Sequence, residues 1–312
     1  MSKKSLQDKI RELRELINSS ICYKQGAWSR KDDGDWSKLW TAVDNVEDTQ
    51  SAIDEYSSLK DFSRLAVYGL LQAMVVQQDG IKHLEEAIQI RALNFKKDYP
   101  DLHKIRDIRN ETVGHPTNTK RKKGGSTYTS ISHTNSLDIL EYGVWSRKGF
   151  EHKTIRLKEI IDTQSKLLVK ELDKVIAKIK KDETKHKKVF RGKSLSKMLA
   201  QTDYYIQKLW SFEKQRDYSR INFDFLKSVY EKFKEEIKQR YRIEKVDEHG
   251  VHAPGLIEEI KKVEKLLPRI ERMIPMGAHV DEFDLDVYVE SLNNAFAQLR
   301  VMSKEIDETF KV

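Results

Sequence analysis

The chain has 312 residues, of which 38% are hydrophobic and 35% charged, and 58 Lys/Arg against 50 Asp/Glu give a net charge of +8. That length suits about two domains with a real core under a charged surface, and no apolar run approaches the roughly 18–20 residues of a membrane span. The sole cysteine, Cys22, excludes an intrachain disulfide framework and any Cys-rich zinc module, and points to a reducing, cytoplasmic setting.

Residues 1–4 open a charged, amphipathic segment, MSKKSLQDKIRELREL, without the apolar centre of a secretory leader. Residues 5–22 read as a helix with Leu6, Ile10, Leu13 and Ile17 on one face. A Gly/Asp/Lys-rich loop at 24–36 precedes a second helix over 37–57. The strongest helical period runs over 62–96, through Val67, Leu71, Met74, Ile81, Leu84 and Ile88, yet its middle carries Gln77, Gln78 and Asp79, unusual for a core element. After Pro100 a shorter helix runs to about Val113, where Gly114 and Pro116 stop it.

Residues 117–125 form a basic loop. Segments 127–132, 137–142 and 150–155 are β-prone and predict a small hairpin or three-stranded insert within 126–155. A long helix follows at about 156–181. Residues 183–193, within a Lys-rich stretch, read as a basic linker, so that 1–182 forms one domain and 194–312 another, with helices near 194–243, 254–274 and 284–310. The fold class is all-α with a small β insert. Charge divides in the same way, +10 over residues 1–193 and −2 over 194–312, which places any polyanion partner on the first part.

The segment IRDIRNETVGHP (105–116) gathers Arg109, Asn110 and His115 at a helix end. In a continuous helix Arg109 and His115, six residues apart, would be separated by about 240° and about 9 Å of rise. The break at Gly114 and Pro116 lets the imidazole leave that path. A purely structural alternative pairs Arg109 with Asp107, Glu111 or a neighbour and makes His115 a C-terminal cap.

This segment resembles the R-x(4–6)-H motif of HEPN-superfamily ribonucleases, with five residues between Arg109 and His115 and a polar Asn110 directly after the arginine. The preceding helix, with its polar interruption at 77–79, is similar to the one that packs beside the motif in that family. The resemblance implies a HEPN-like helical bundle over about 60–180 and a metal-independent endoribonuclease, in which the RNA 2′-hydroxyl attacks the adjacent phosphorus. It implies that His115 transfers a proton, that Arg109 grips the phosphate, that Asn110 orients the phosphate or the histidine, and that Asp79 supports Arg109 or the histidine from behind. It further implies a homodimer through the motif helices, a toxin or phage-defence role, and an antitoxin or other regulatory protein as partner. No cofactor is expected, and neither ATP, GTP nor dinucleotide motifs occur. The alternative is a non-catalytic helical module of the same kind that binds RNA or a protein.

Lys120, Arg121, Lys122 and Lys123 directly follow the motif and are candidates for RNA phosphates. Tyr128 and Trp145 are candidates either for stacking on bases or for packing the insert onto the core. Asp107 with Glu111, and His249 with His252 and the more distant His279, are weak metal patterns that lack a regular ligand set.

Overall fold

The computed structural model describes residues 5–23, 33–91, 93–114, 119–121, 125–132, 136–210, 216–243, 246, 253–274 and 282–311. Its helices are α1 (Leu6–Ser19), α2 (Asp33–Ser58), α3 (Arg64–Ala87), α4 (Phe95–Asp98), α5 (Pro100–Arg109), α6 (Leu157–Val189), α7 (Leu195–Met198), α8 (Thr202–Leu209), α9 (Arg216–Tyr241), α10 (Pro254–Met273) and α11 (Glu282–Thr309). Strands β1 (Thr119–Arg121), β2 (Gly125–Ile131), β3 (Ile139–Ser146) and β4 (Gly149–Arg156) pair antiparallel in chain order. Among the described residues no helix is long and apolar enough to cross a membrane. The chain divides into two compact units, one of residues 1–19 and 33–180, the other of 20–32 and 181–312.

In the first unit the expected face of α1, Leu6, Ile10, Leu13 and Ile17, is buried. The helical stretch expected over 62–96 is two elements. Helix α3 starts on Ser63, whose hydroxyl accepts from the Ala66 amide, and ends where Gln89 turns left-handed at φ 57°. A non-glycine residue there stops the helix as a C-terminal glycine would. Asn94 then caps α4 by accepting from the Lys97 amide at 3.2 Å. The insert has one strand more than expected, because the short β1 pairs with β2, Lys120 opposite Ser126. Its inner face, Leu140, Tyr142 and Val144, is buried, and the Tyr56 hydroxyl on α2 donates to the Leu137 carbonyl at 2.8 Å.

The polar middle of α3 is explained by a head-to-tail chain through four buried glutamines. Arg106 Nη1 donates to Gln78 Oε1 at 3.4 Å, Gln78 Nε2 to Gln164 Oε1 at 2.8 Å, and Gln164 Nε2 to Gln77 Oε1 at 2.8 Å. Gln77 Nε2 donates to Gln50 Oε1 at 3.0 Å and Gln50 Nε2 to Asp54 Oδ1 at 2.8 Å. Gln78 and Gln164 spend their second amide hydrogens on the carbonyls of Leu102 and Met74. A cation thus stands at one end and an anion at the other, with every dipole between them aligned, an arrangement in which each bond polarises the next. It joins α2, α3, α5 and α6.

The basic linker expected at 183–193 is helical through Val189. Lysine and glutamate are good helix formers, and Lys187 pairs with Glu183 one turn back at 3.3 Å. In the second unit, the stretch expected as one helix over 194–243 is α7, α8 and α9. The fully buried Arg240 lies against the rings of both Phe190 and Phe310, its guanidinium carbon 5.5 and 5.1 Å from their centroids. It donates to Asp307 Oδ1 at 3.0 Å and to the Lys193 carbonyl at 2.8 Å. Asp307 also accepts from the backbone amides of Leu195 and Ser196. These bonds hold its carboxyl below the usual aspartate range although burial opposes them. Cys22 is buried, and burial raises its thiol to about 11, so at neutral pH it is the protonated, unreactive form.

Two stability outcomes follow for the first unit. Gln164→Leu leaves Gln77 Oε1 without its donor and Gln78 Nε2 without its acceptor, and at about 1–3 kcal/mol for each unmade buried bond the loss expected in urea unfolding is about 2–6 kcal/mol. The second concerns Glu85 on α3 and Glu171 on α6, both fully buried. Burial, reinforced by Glu171, pushes the Glu85 carboxyl up to about 8. The folded protein therefore holds a proton that the unfolded chain releases near pH 4.3. Stability from this group is complete below that pH and is lost as pH rises towards 8. Urea midpoints of the parent should fall between pH 5 and pH 8, and Glu85→Gln should flatten that fall; equal slopes in the two proteins would refute the assignment.

Candidate functional site

Helix α5 is pinned by its buried residues Leu102, Ile105 and Ile108, and this sends Arg106 and Arg109 towards α3. The two arginines have different fates. Arg106 forms an ion pair with Asp79, Nη1 to Oδ1 at 2.9 Å, and completes the glutamine chain. Asp79, expected to support Arg109 or the histidine, is thus engaged by Arg106, one turn earlier on the helix.

Arg109 is held by neutral amides. Its Nε and Nη2 both donate to Gln72 Oε1, at 2.9 and 2.7 Å, and its Nη1 donates to Asn110 Oδ1 at 2.9 Å. Among the described residues no carboxylate lies within ion-pair distance of it. Its remaining N–H groups have no acceptor there either. Gln72 was not singled out in the sequence, although a glutamine inside the apolar run LLQAMVV was the available signal.

Of the partners a purely structural role would give Arg109, the structure has a neighbour, Asn110, and neither Asp107 nor Glu111. Asp107 faces His103 across 3.8 Å. Glu111 is buried and accepts from the Tyr142 hydroxyl at 3.1 Å and from Lys153 Nζ at 2.9 Å. Through these two bonds the turn after α5 is fastened to the inner face of the β insert.

That turn is also not the α-helical ending expected. Asn110–Gly114 forms a single π-helical turn, a rare widening in which each amide reaches five residues back. Thr112 Oγ1 donates to the Ile108 carbonyl at 2.7 Å and steadies it. The turn brings Gly114 back over the guanidinium: a Cβ there would lie 2.9 Å from Arg109 Nη1 and 3.5 Å from Asn110 Oδ1. The glycine is a matter of space, since a side chain there fits only if the guanidinium moves.

Of the sequence candidates, then, the structure brings together Arg109, Asn110 and the end of the motif at Gly114. His115 lies outside the described residues, as do Lys122 and Lys123; Lys120 and Arg121 are described only as backbone of β1. His249, His252 and His279 also lie outside them. Among the described residues no group of three or more His, Cys, Asp or Glu is placed to hold a metal ion. No family model, curated protein or solved structure matches the chain.

Gly114→Ala tests the contact directly. The added methyl must push the guanidinium, the far end of a flexible side chain, off its bonds to Asn110. The Arg109 Nε–H resonance should shift, while thermal unfolding changes by less than about 1 kcal/mol, the scale of glycine-to-alanine effects in helical turns.

Proposed function

We propose that the chain is a metal-independent endoribonuclease of the kind its motif resembles, with Arg109, Asn110 and His115 at the reacting phosphate. The observation that carries the reading is the state of Arg109: oriented by two amides, partly exposed, and left with its full positive charge. Arg106, one turn earlier on α5, is by contrast neutralised by Asp79. A guanidinium that is fixed but not neutralised is suited to a phosphate, whose oxygens match its planar fork.

In the proposed reaction the RNA 2′-oxygen forms a bond to the adjacent phosphorus as the bond from phosphorus to the 5′-oxygen breaks. The 2′-hydroxyl gives up its proton to a base, and the departing 5′-oxygen receives one from an acid. An imidazole with a pKa near 6.5 performs either transfer at neutral pH, and His115 is assigned this role. Arg109 stabilises the charge that builds on the non-bridging oxygens. Asn110 sets the guanidinium plane. One imidazole supplies one of the two transfers, so the second falls to a second motif across a homodimer cleft. The products are a 2′,3′-cyclic phosphate and a 5′-hydroxyl. A toxin or defence effector controlled by an antitoxin, or by another regulatory protein, is the role that accompanies this chemistry in the superfamily.

The test is cleavage of end-labelled RNA in EDTA by the parent, Arg109→Ala and His115→Ala. Each substitution is expected to slow cleavage by about 100-fold or more, with cyclic phosphate on the parent's products. Cleavage that survives both substitutions refutes the site. A parent that binds RNA without cutting it is the non-catalytic module instead.

A further inference from the structure

We infer that the outward face of the β insert is a stacking platform for single-stranded RNA, built on the row Tyr128, Trp145 and Phe150. The register places the three side by side across the sheet: Tyr128 opposite Trp145, and Trp145 opposite Phe150. They are 53%, 54% and 54% exposed, while the alternate residues Leu140, Tyr142 and Val144 on the other face are buried. The packing role open to Tyr128 and Trp145 is therefore filled by the opposite face, and the row is surplus to the core.

The row is also locally fixed. The rings of Trp145 and Phe150 lie 4.6 Å apart, centre to centre. The Phe150 ring packs against Gly143, where a Cβ would come within 2.3 Å of it. A glycine in a strand often marks such a close approach. Beside the row, Tyr128, Trp145, Ser146 and Arg147 line an open cavity of about 390 Å³, within the size range of small-molecule pockets.

Charge selects the occupant. Residues 119–156 carry eight Lys/Arg and three Asp/Glu. Arg147 and Lys148 are exposed in the turn that ends the row. Glu141, the one acid on this face among the described residues, lies four residues along β3 from Trp145, about 13 Å away at strand rise. Exposed aromatic rings with flanking cations match the alternating bases and phosphates of a single strand, whereas a duplex keeps its base faces stacked inside. The surface deepens the nuclease reading and rests on it for the choice of RNA as the strand.

The test uses the full chain and a labelled 2′-O-methyl oligouridylate of about twelve nucleotides, which lacks the attacking hydroxyl and so reports binding alone. Trp145→Ala and Phe150→Ala are each expected to weaken binding about tenfold. Trp145→Phe should recover most of the loss, and weak binding of a duplex of the same length should be unchanged by all three. Variants are compared at matched thermal midpoints, expected because the rings are exposed. Equal affinities for parent and alanine variants overturn the platform, as does a parent dimer that the alanine variants convert to monomer, which would make the row a self-association surface. Trp145-dependent binding with no cleavage of unmodified RNA sustains the platform and removes the nuclease. His115-dependent cleavage with binding indifferent to the row does the reverse.

Discussion

A line of four buried glutamines holds the first unit in register. From Arg106 through Gln78, Gln164, Gln77 and Gln50 to Asp54, each group donates to the next. Buried amides are costly unless both ends are satisfied. Here the cost of any misregister is high, because sliding α3 against α2, α5 or α6 breaks bonds that water cannot replace. The charged ends fix the direction of every amide between them. A hydrophobic core of the same volume would hold these helices together, yet it would specify their azimuth less strictly. The azimuth of α5 decides where Arg109 points.

From that constraint the division of labour in α5 follows. Arg106, one turn before Arg109, is consumed by the network and by Asp79. Glu111 is consumed by Lys153 and Tyr142. Between them stands Arg109, to which the fold supplies amide oxygens but no carboxylate among the described residues. The nearby acids, Asp79, Asp107 and Glu111, are each turned to another group. Removing either neighbour's partner would change this balance: without Lys153, for example, the buried Glu111 carboxylate would seek the closest remaining cation. Under the proposed function, the ion pairs around the motif matter by what they withhold from Arg109 as much as by the stability they add.

Much of the fold was legible from apolar spacing, since α1 and the long helices α2, α3, α6, α10 and α11 follow a simple 3.6-residue period. Their ends were less so. Gln89 stops α3 by a left-handed turn that a glutamine does not advertise, and β1 is too short and too basic to stand out before its partner β2 is known. The motif was legible as Arg109, Asn110 and Gly114, but its geometry was not. A π turn has no propensity signature of its own, being set by tertiary contacts such as Glu111 to Lys153. The polar interruption at 77–79 was visible as an anomaly, but its partners Gln50, Gln164 and Arg106 come from elements distant in sequence. Nor does the sequence carry a signal that Asp79 pairs with Arg106 rather than with Arg109 or the histidine. Exposure was likewise hidden: the alternation in β3 shows that Tyr142 and Trp145 take opposite faces, not which face is covered.

The two faces of the insert join these arguments. Its inner face reaches the motif turn through Tyr142 and Lys153, the second of which stands on β4 only three residues from Phe150. Strands shift as units, because displacing one residue of a ladder breaks the bonds of its neighbours. A strand of RNA seated on Trp145 and Phe150 would load the same β3–β4 pair that fastens Glu111. Should binding alter the ladder, the first contacts to feel it are those that keep Glu111 away from Arg109. Under the proposed function, the β3–β4 pair that would seat the strand is the pair that holds Glu111.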